Sequence, residues 1–197
     1  MPMHGGEKAL HSILVVSPSA SFDAVVKKWL PAERFMSIDF CKSAATARQL
    51  FFERYYDIVL ISFPLPDETG AEFAFDIAQN CNASILIAAP VEIYDEVLER
   101  VSDYGILAIS KPIRNRQLEK AVRLLCAFQE KMQQLEKELM TAHEKMEELR
   151  LISQAKCVLI EKQHMSEAQA HRFIGKEAMD HGLSRKRIAQ RILEEYE

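Results

Sequence analysis

Long apolar runs are missing from this chain of 197 residues: its apolar 48% never gathers into the ~20 consecutive residues a membrane-spanning helix needs. The opening segment, 1–11, carries Gly5, Gly6 and mixed polar residues where a secretion signal would be apolar, so a cytosolic protein with a disordered start is expected. Cysteine is sparse and dispersed. Cys41, Cys81, Cys126 and Cys157 form none of the close pairs that zinc sites and dithiol motifs use, and they read as reduced, mostly buried small apolar residues. His164, His171 and His181 lack cysteine neighbours and read as surface or loop residues, so no metal or other cofactor is expected. No glycine-rich loop cradles a phosphate, and no nucleophile with a base or pair of carboxylates stands out, which makes an enzyme the least supported class.

Positive charge is concentrated where the rest of the chain is acidic. From Arg150 to Leu193 nine Lys and Arg face four acids, whereas from Met1 to Leu149 sixteen face twenty-two. A basic end on an acidic protein points to a polyanionic partner.

The front of the chain alternates strand-length apolar runs with helical patterns. Ile13–Val16, Ile58–Ile61, Ile85–Ala89 and Ile106–Ile109 are rich in Val, Ile and Leu, and a further strand falls near Met36–Phe40, between helices around Ser21–Leu30 and Ala44–Arg54. Five parallel strands with helices on both faces, in doubly wound order, are expected.

Across about Ser12 to Phe128 this text resembles the response-regulator receiver family, through ILVV at 13–16, YDIVLIS at 56–62, PDETG at 66–70 and SKP at 110–112. The resemblance implies two magnesium-binding acids after the first strand and a phosphoryl-accepting aspartate ending the third. Those positions hold Ser17, Pro18 and Ser62; the hydroxyl-bearing position ending the fourth strand is Ala88, and Lys111 alone is retained. Magnesium requires hard anionic oxygens and an acyl phosphate requires a carboxylate, so the resemblance implies a receiver without phosphoryl chemistry. Ser62 lacks an adjacent base, and Asp67 and Glu68 read as solvated acids of a Pro-flanked turn. Lys111 is then a structural remnant or a ligand for another anion. A small-molecule pocket at the carboxyl ends of the strands and a domain kept for partner docking both remain open.

Between Asn115 and Gly175 there is neither proline nor glycine. Ala121, Leu125, Phe128, Met132, Leu135, Leu139, Ala142, Met146 and Leu149 alternate by four and three, an unbroken heptad. At 1.5 Å per residue a helix to Gln163 extends roughly 73 Å, too long to be covered by the front domain. A parallel homodimer is expected, with Leu125, Phe128, Met132, Leu135, Leu139, Met146 and Leu149 as its seam, splaying near Ser153 and Lys156 where the repeat decays. The domain limits read 12–116, 117–149 and 150–197.

Beyond His164 the pattern changes to two short helices. Ser166 with Gln169 makes a capping box, Gly182 stops the first helix, and Ser184 starts the second. Val158, Leu159, Ile160, Ala170, Phe173, Ile174, Ala178, Leu183, Ile188, Ala189, Ile192 and Leu193 are the expected core of a three-helix tail whose first helix is the end of the coiled coil. QAK at 154–156, MSEAQA at 165–170 and EAMD at 177–180 make 152–193 similar to the ANTAR family of RNA-binding antiterminators. By matching position Ala155, Lys156, Ala170, Ala178, Met179 and Ala189 carry the family pattern, and Cys157 and Ile160 depart from it. The resemblance implies a dimer whose two tails bind paired hairpins of a leader RNA and prevent a terminator from forming. The alanines read as close-packing positions, while Lys156, Lys162, Arg172, Lys176, Arg185, Lys186, Arg187 and Arg191 are the candidate RNA contacts, by charge on phosphates and by arginine stacking on loop bases. Competing readings are a helix-turn-helix DNA binder built on the basic helix from Ser184, and a coiled-coil scaffold that docks an acidic protein. Input to the front domain is expected from a small molecule or a regulatory protein, with no membrane partner.

Overall fold

The computed structural model describes residues 10–114 and 116–196. They form two compact units that divide between Gln133 and Gln134. The first is a parallel sheet of β1 (Ser12–Val16), β2 (Ser37–Cys41), β3 (Ile58–Ser62), β4 (Ser84–Pro90) and β5 (Leu107–Lys111), in the order β2-β1-β3-β4-β5. Helices α1 (Ala20–Trp29), α2 (Ala44–Glu53), α3 (Gly70–Asn80) and α4 (Tyr94–Ser102) connect the strands. The expected five-stranded doubly wound architecture is therefore present, each strand within a residue or two of its expected place.

Strand alternation explains why both faces need cover. Leu14, Val16, Val59, Ile61, Ile85 and Ile87 point into one core with α2, α3 and α4. Ile13, Val15, Ile58, Leu60, Leu86 and Ala88 point into the other, closed by Phe22 and Val26 of α1 and by Leu118, Ala121, Val122 and Leu125 of α5 (Gln117–Gln163). Gly70 starts α3 hard against β3, where an added Cβ would lie 3.0 Å from Ile61 Cγ2.

Two sequence expectations need correction here. Leu125, assigned to the dimer seam, is 4% exposed inside the second core, and Ala121 lies there too, so the first turns of α5 belong to the sheet unit rather than beginning a separate segment at 117. The disordered stretch 1–11 lies outside the described residues for 1–9, but His11 is buried and its carbonyl accepts the Met36 N–H at 2.9 Å. Periodicity ranks residues by face and cannot say which neighbour a face meets.

A polar knot fastens α5 at the amino-terminal edge of the sheet. Ser12 N–H and Oγ–H donate to Asp57 Oδ2 at 2.7 and 2.8 Å, and buried Gln129 donates through Nε2 to the carbonyls of Asp57 and Asn82, both at 2.6 Å.

In the second unit the later part of α5 packs with α6 (Glu167–His181) and α7 (Arg185–Tyr196). The core is Ala155, Leu159, Ala170, Ile174, Ala178, Ile188, Ala189 and Ile192, with Phe173, Val158 and Leu193 partly covered against it. Ile160 and Leu183, expected inside, are exposed. The start and stop signals were legible: Ser166 and Gln169 form both bonds of the capping box, and Gly182, at φ 63°, ends α6 with Leu183 N–H donating to Ala178 O at 3.0 Å and Gly182 N–H to Met179 O at 3.3 Å.

Candidate functional site

The first place to inspect is the carboxyl edge of the sheet, where open parallel sheets hold ligands. Ser17 follows β1, Ser62 ends β3 beside Ala88 of β4, and Lys111 ends β5. Ser17, Ser62 and Ala88 are fully enclosed, whereas Pro18 is exposed. The Lys111 ammonium donates to Ser62 Oγ at 2.8 Å and to the Phe63 carbonyl at 2.7 Å, and lies over the Phe22 ring. Burial pushes the Lys111 amine below its ordinary pKa, since neither acceptor carries charge. Ser17 Oγ is turned to its own loop, donating to Ser19 O and accepting from Ser19 N–H. The Lys111 ammonium thus has neutral acceptors on its inner side, and on its outer side it lines an open pocket with Arg114 and Lys120. Among the described residues no group of His, Cys, Asp or Glu is arranged to hold a metal ion.

Asp67 and Glu68 are not the simply solvated acids the turn suggested. The Asp67 carboxylate accepts the Ala45 and Ala44 N–H groups at 2.9 and 3.1 Å, capping α2, and these bonds lower its pKa. Glu68 takes the Arg48 guanidinium bidentately at 2.7 and 3.2 Å. Both partners come from about twenty residues away, beyond the reach of local pattern. Neither acid touches Ser62, whose oxygen instead accepts from Lys111 at 2.8 Å. The Cys41 thiol is likewise inert, pushed up to about 11 by burial.

The second place is the tail. The four family-pattern alanines, Ala155, Ala170, Ala178 and Ala189, are all buried where the three helices meet, and Met179, which shares the pattern, is 84% exposed. Of the eight candidate cations, Lys156 alone pairs with a carboxylate among the described residues: its ammonium reaches Glu167 Oε1 at 2.8 Å, tying α6 to α5 and lowering the Glu167 pKa. Arg172 and Lys176 line an open depression of about 390 Å³ together with His164 and Phe173. The Arg185 side chain lies across Gly175, where an added Cβ would sit 3.6 Å from its Nη2. Arg187 and Arg191, one turn apart on α7, are exposed; Lys162 is exposed on the last turn of α5, and Lys186 is half-buried. The depression and the Gln163 to Tyr196 hydrogen bond, at 2.6 Å, were missed in the sequence; Phe173 read only as core, and nothing in its spacing marks its open side.

On α5 itself, Phe128, Met132, Leu135, Leu139, Met146 and Leu149 are all exposed, forming an apolar stripe without cover among the described residues. No described helix is long and apolar enough to cross a membrane.

Comparison with known proteins places the tail and then the chain. Residues 141–193 match the ANTAR domain. The transcriptional regulatory protein PdtaR of Mycobacterium tuberculosis, strains H37Rv and CDC 1551, is 31% identical over 139 residues, 70% of this chain and 67% of that protein. The sheet unit has the receiver fold. A signal receiver domain of an HD domain-containing protein from Pseudomonas fluorescens Pf-5 superposes with TM-score 0.59 at 19% identity, over 67% of this chain and 98% of that one. A CheY-like receiver domain protein from Methanospirillum hungatei JF-1 gives 0.54 at 19%, over 63% and 99%.

Proposed function

Because the chain belongs to the ANTAR response regulators, a family of transcriptional regulators with a receiver-like domain ahead of the ANTAR domain, we propose that it is a cytoplasmic antitermination factor that binds paired leader-RNA hairpins as a dimer. The observation that carries this reading is the set of exposed cations on the closed tail, Lys162, Arg172, Lys176, Arg185, Arg187 and Arg191, held on rigid helices and without carboxylate partners among the described residues. Spaced guanidinium groups fit the phosphates of a folded RNA, and Arg172 beside Phe173 offers a surface on which an unstacked loop base lies flat. Lys156 joins only by giving up Glu167.

The dimer is supported by the stripe from Phe128 to Leu149, six large apolar side chains in heptad register that water otherwise covers. The front domain acts as a pseudo-receiver, with the Ser62 and Lys111 contact standing where phosphoryl chemistry would otherwise occur. Its input is a small molecule or a protein.

The test is selection of transcripts by the purified chain, beside Arg185→Ala/Lys186→Ala/Arg187→Ala. Enrichment of double-hairpin leaders by the unaltered protein alone is expected. Capture of duplex DNA in their place, or equal enrichment by both proteins, refutes the reading.

A further inference from the structure

Besides the open pocket of about 560 Å³ beside Lys111 at the carboxyl edge, the sheet unit has another cavity. It is an open pocket of about 510 Å³ between α1 and the first turns of α5, within the range of small-molecule sites. His11 precedes β1 whereas Ser17 follows it, so the pocket's buried end lies at the opposite end of that strand from Ser62 and Lys111.

Three observations define what it takes. Its wall is aromatic and aliphatic: Trp29, Phe35 and Val122. Lys28 Nζ lies 5.3 Å from the centre of the Trp29 ring. Second, His11, 4% exposed, holds its Nε2 in the pocket wall with no hydrogen-bond partner among the described residues, 3.9 Å from Glu130 Oε1. A buried polar atom in this state is a place for a ligand group. Third, one carboxylate, Glu119, serves two guanidiniums, Arg123 at 3.0 Å and Arg34 at 4.0 Å, which leaves cationic donors over at that end. Arg123 and Glu130 are seven residues apart, about 10 Å along the helix.

We propose that this pocket binds a small aromatic acid with a hydroxyl or amino group at the far side of its ring. The carboxylate accepts from Arg34 and Arg123, and the ring lies against Trp29 and Phe35. The distal group bridges His11 Nε2 and the Glu130 carboxylate, as a neutral hydroxyl accepting from one and donating to the other. A second carboxylate there would be repelled by Glu130, which restricts the ligand to one acid group. The proposal goes beyond the RNA reading and stands without it, because binding is measured on the protein alone.

Trp29 is the sole tryptophan of the chain, so its fluorescence reports this pocket directly. The full chain is titrated with 4-hydroxybenzoate, with 4-aminobenzoate, with benzoate and with 4-hydroxybenzyl alcohol, following Trp29 emission and heat. Saturable binding of 4-hydroxybenzoate is expected, with each truncated probe roughly tenfold weaker. Arg34→Gln should weaken 4-hydroxybenzoate by roughly tenfold while leaving the alcohol unchanged, and Glu130→Gln should do the converse, weakening the alcohol and sparing benzoate. Both side chains lie at the rim, so folding is retained, and circular dichroism checks it. Lys145→Gln, which is not among the pocket's lining residues, should bind as the unaltered chain does. No saturable response to 4-hydroxybenzoate or 4-aminobenzoate, or affinities indifferent to Arg34→Gln and Glu130→Gln, overturns the proposal.

Discussion

Leu125 and Leu139 occupy the same stripe of the same helix, two heptads apart, yet one is 4% and the other 65% exposed. The first turns of α5 spend their apolar side on the sheet, where Leu118, Val122 and Leu125 close the core over β1, β3 and β4. From Phe128 to Leu149 the same spacing is exposed among the described residues. A heptad therefore states only that a helix has an apolar side. Whether that side is a domain's own wall or an interface depends on which strands lie nearby, and the change from one to the other occurs in a single turn, between Leu125 and Phe128.

The largest effect that tests this contrast is Leu125→Ala. It opens a cavity in the sheet unit and should cost about 2–5 kcal/mol, read by urea denaturation, with little change in self-association measured by sedimentation. Leu135→Lys/Leu139→Lys should do the reverse: the proposed dimer dissociates by a hundredfold or more at about 1.5–3 kcal/mol per exposed large apolar side chain, while the denaturation midpoint of the sheet unit stays put. If both variants destabilise the sheet unit alike, the division at Phe128 is wrong.

Gln129→Leu is smaller. It removes the two hydrogen bonds to the Asp57 and Asn82 carbonyls and, at about 0.5–1.5 kcal/mol for each bond, should cost about 1–3 kcal/mol, seen in hydrogen exchange along the first half of α5. Ser166→Ala should cost about 1 kcal/mol of tail stability by loss of the capping box, with no effect on the sheet unit. The smallest concerns Glu167. Its hydrogen bond to Lys156 lowers its folded pKa, so its contribution is complete at neutral pH and is lost as pH falls through that lowered value. Glu167→Gln should flatten the acid limb of a tail-unfolding profile, slightly, because the pair is at the surface.

What the sequence disclosed was whatever depends on near neighbours. Strand periodicity located five strands, and Ser166, Gln169, Ser184 and Gly182 located helix ends, because caps are settled within three or four residues. The loss of the acids after β1 and at Ser62 could be read letter by letter. What stayed hidden was pairing at a distance. Asp67 belongs to α2, Glu68 to Arg48, and Lys156 to Glu167, and each looked like a free surface charge until its partner was brought alongside. His11 was hidden for the same reason: a lone histidine in a polar leader carries no mark of the wall it completes.

A step of one residue along α5 turns the helix by 100° and moves it 1.5 Å. Held at 2.6 Å to two carbonyls of the sheet unit, the Gln129 amide tolerates neither movement. It acts as a key in a shaft, setting the heading of Phe128 and Met132 just beside it. Any turn of α5 about its axis would have to give up both bonds of this amide together with the seats of Leu118, Val122 and Leu125 in the core.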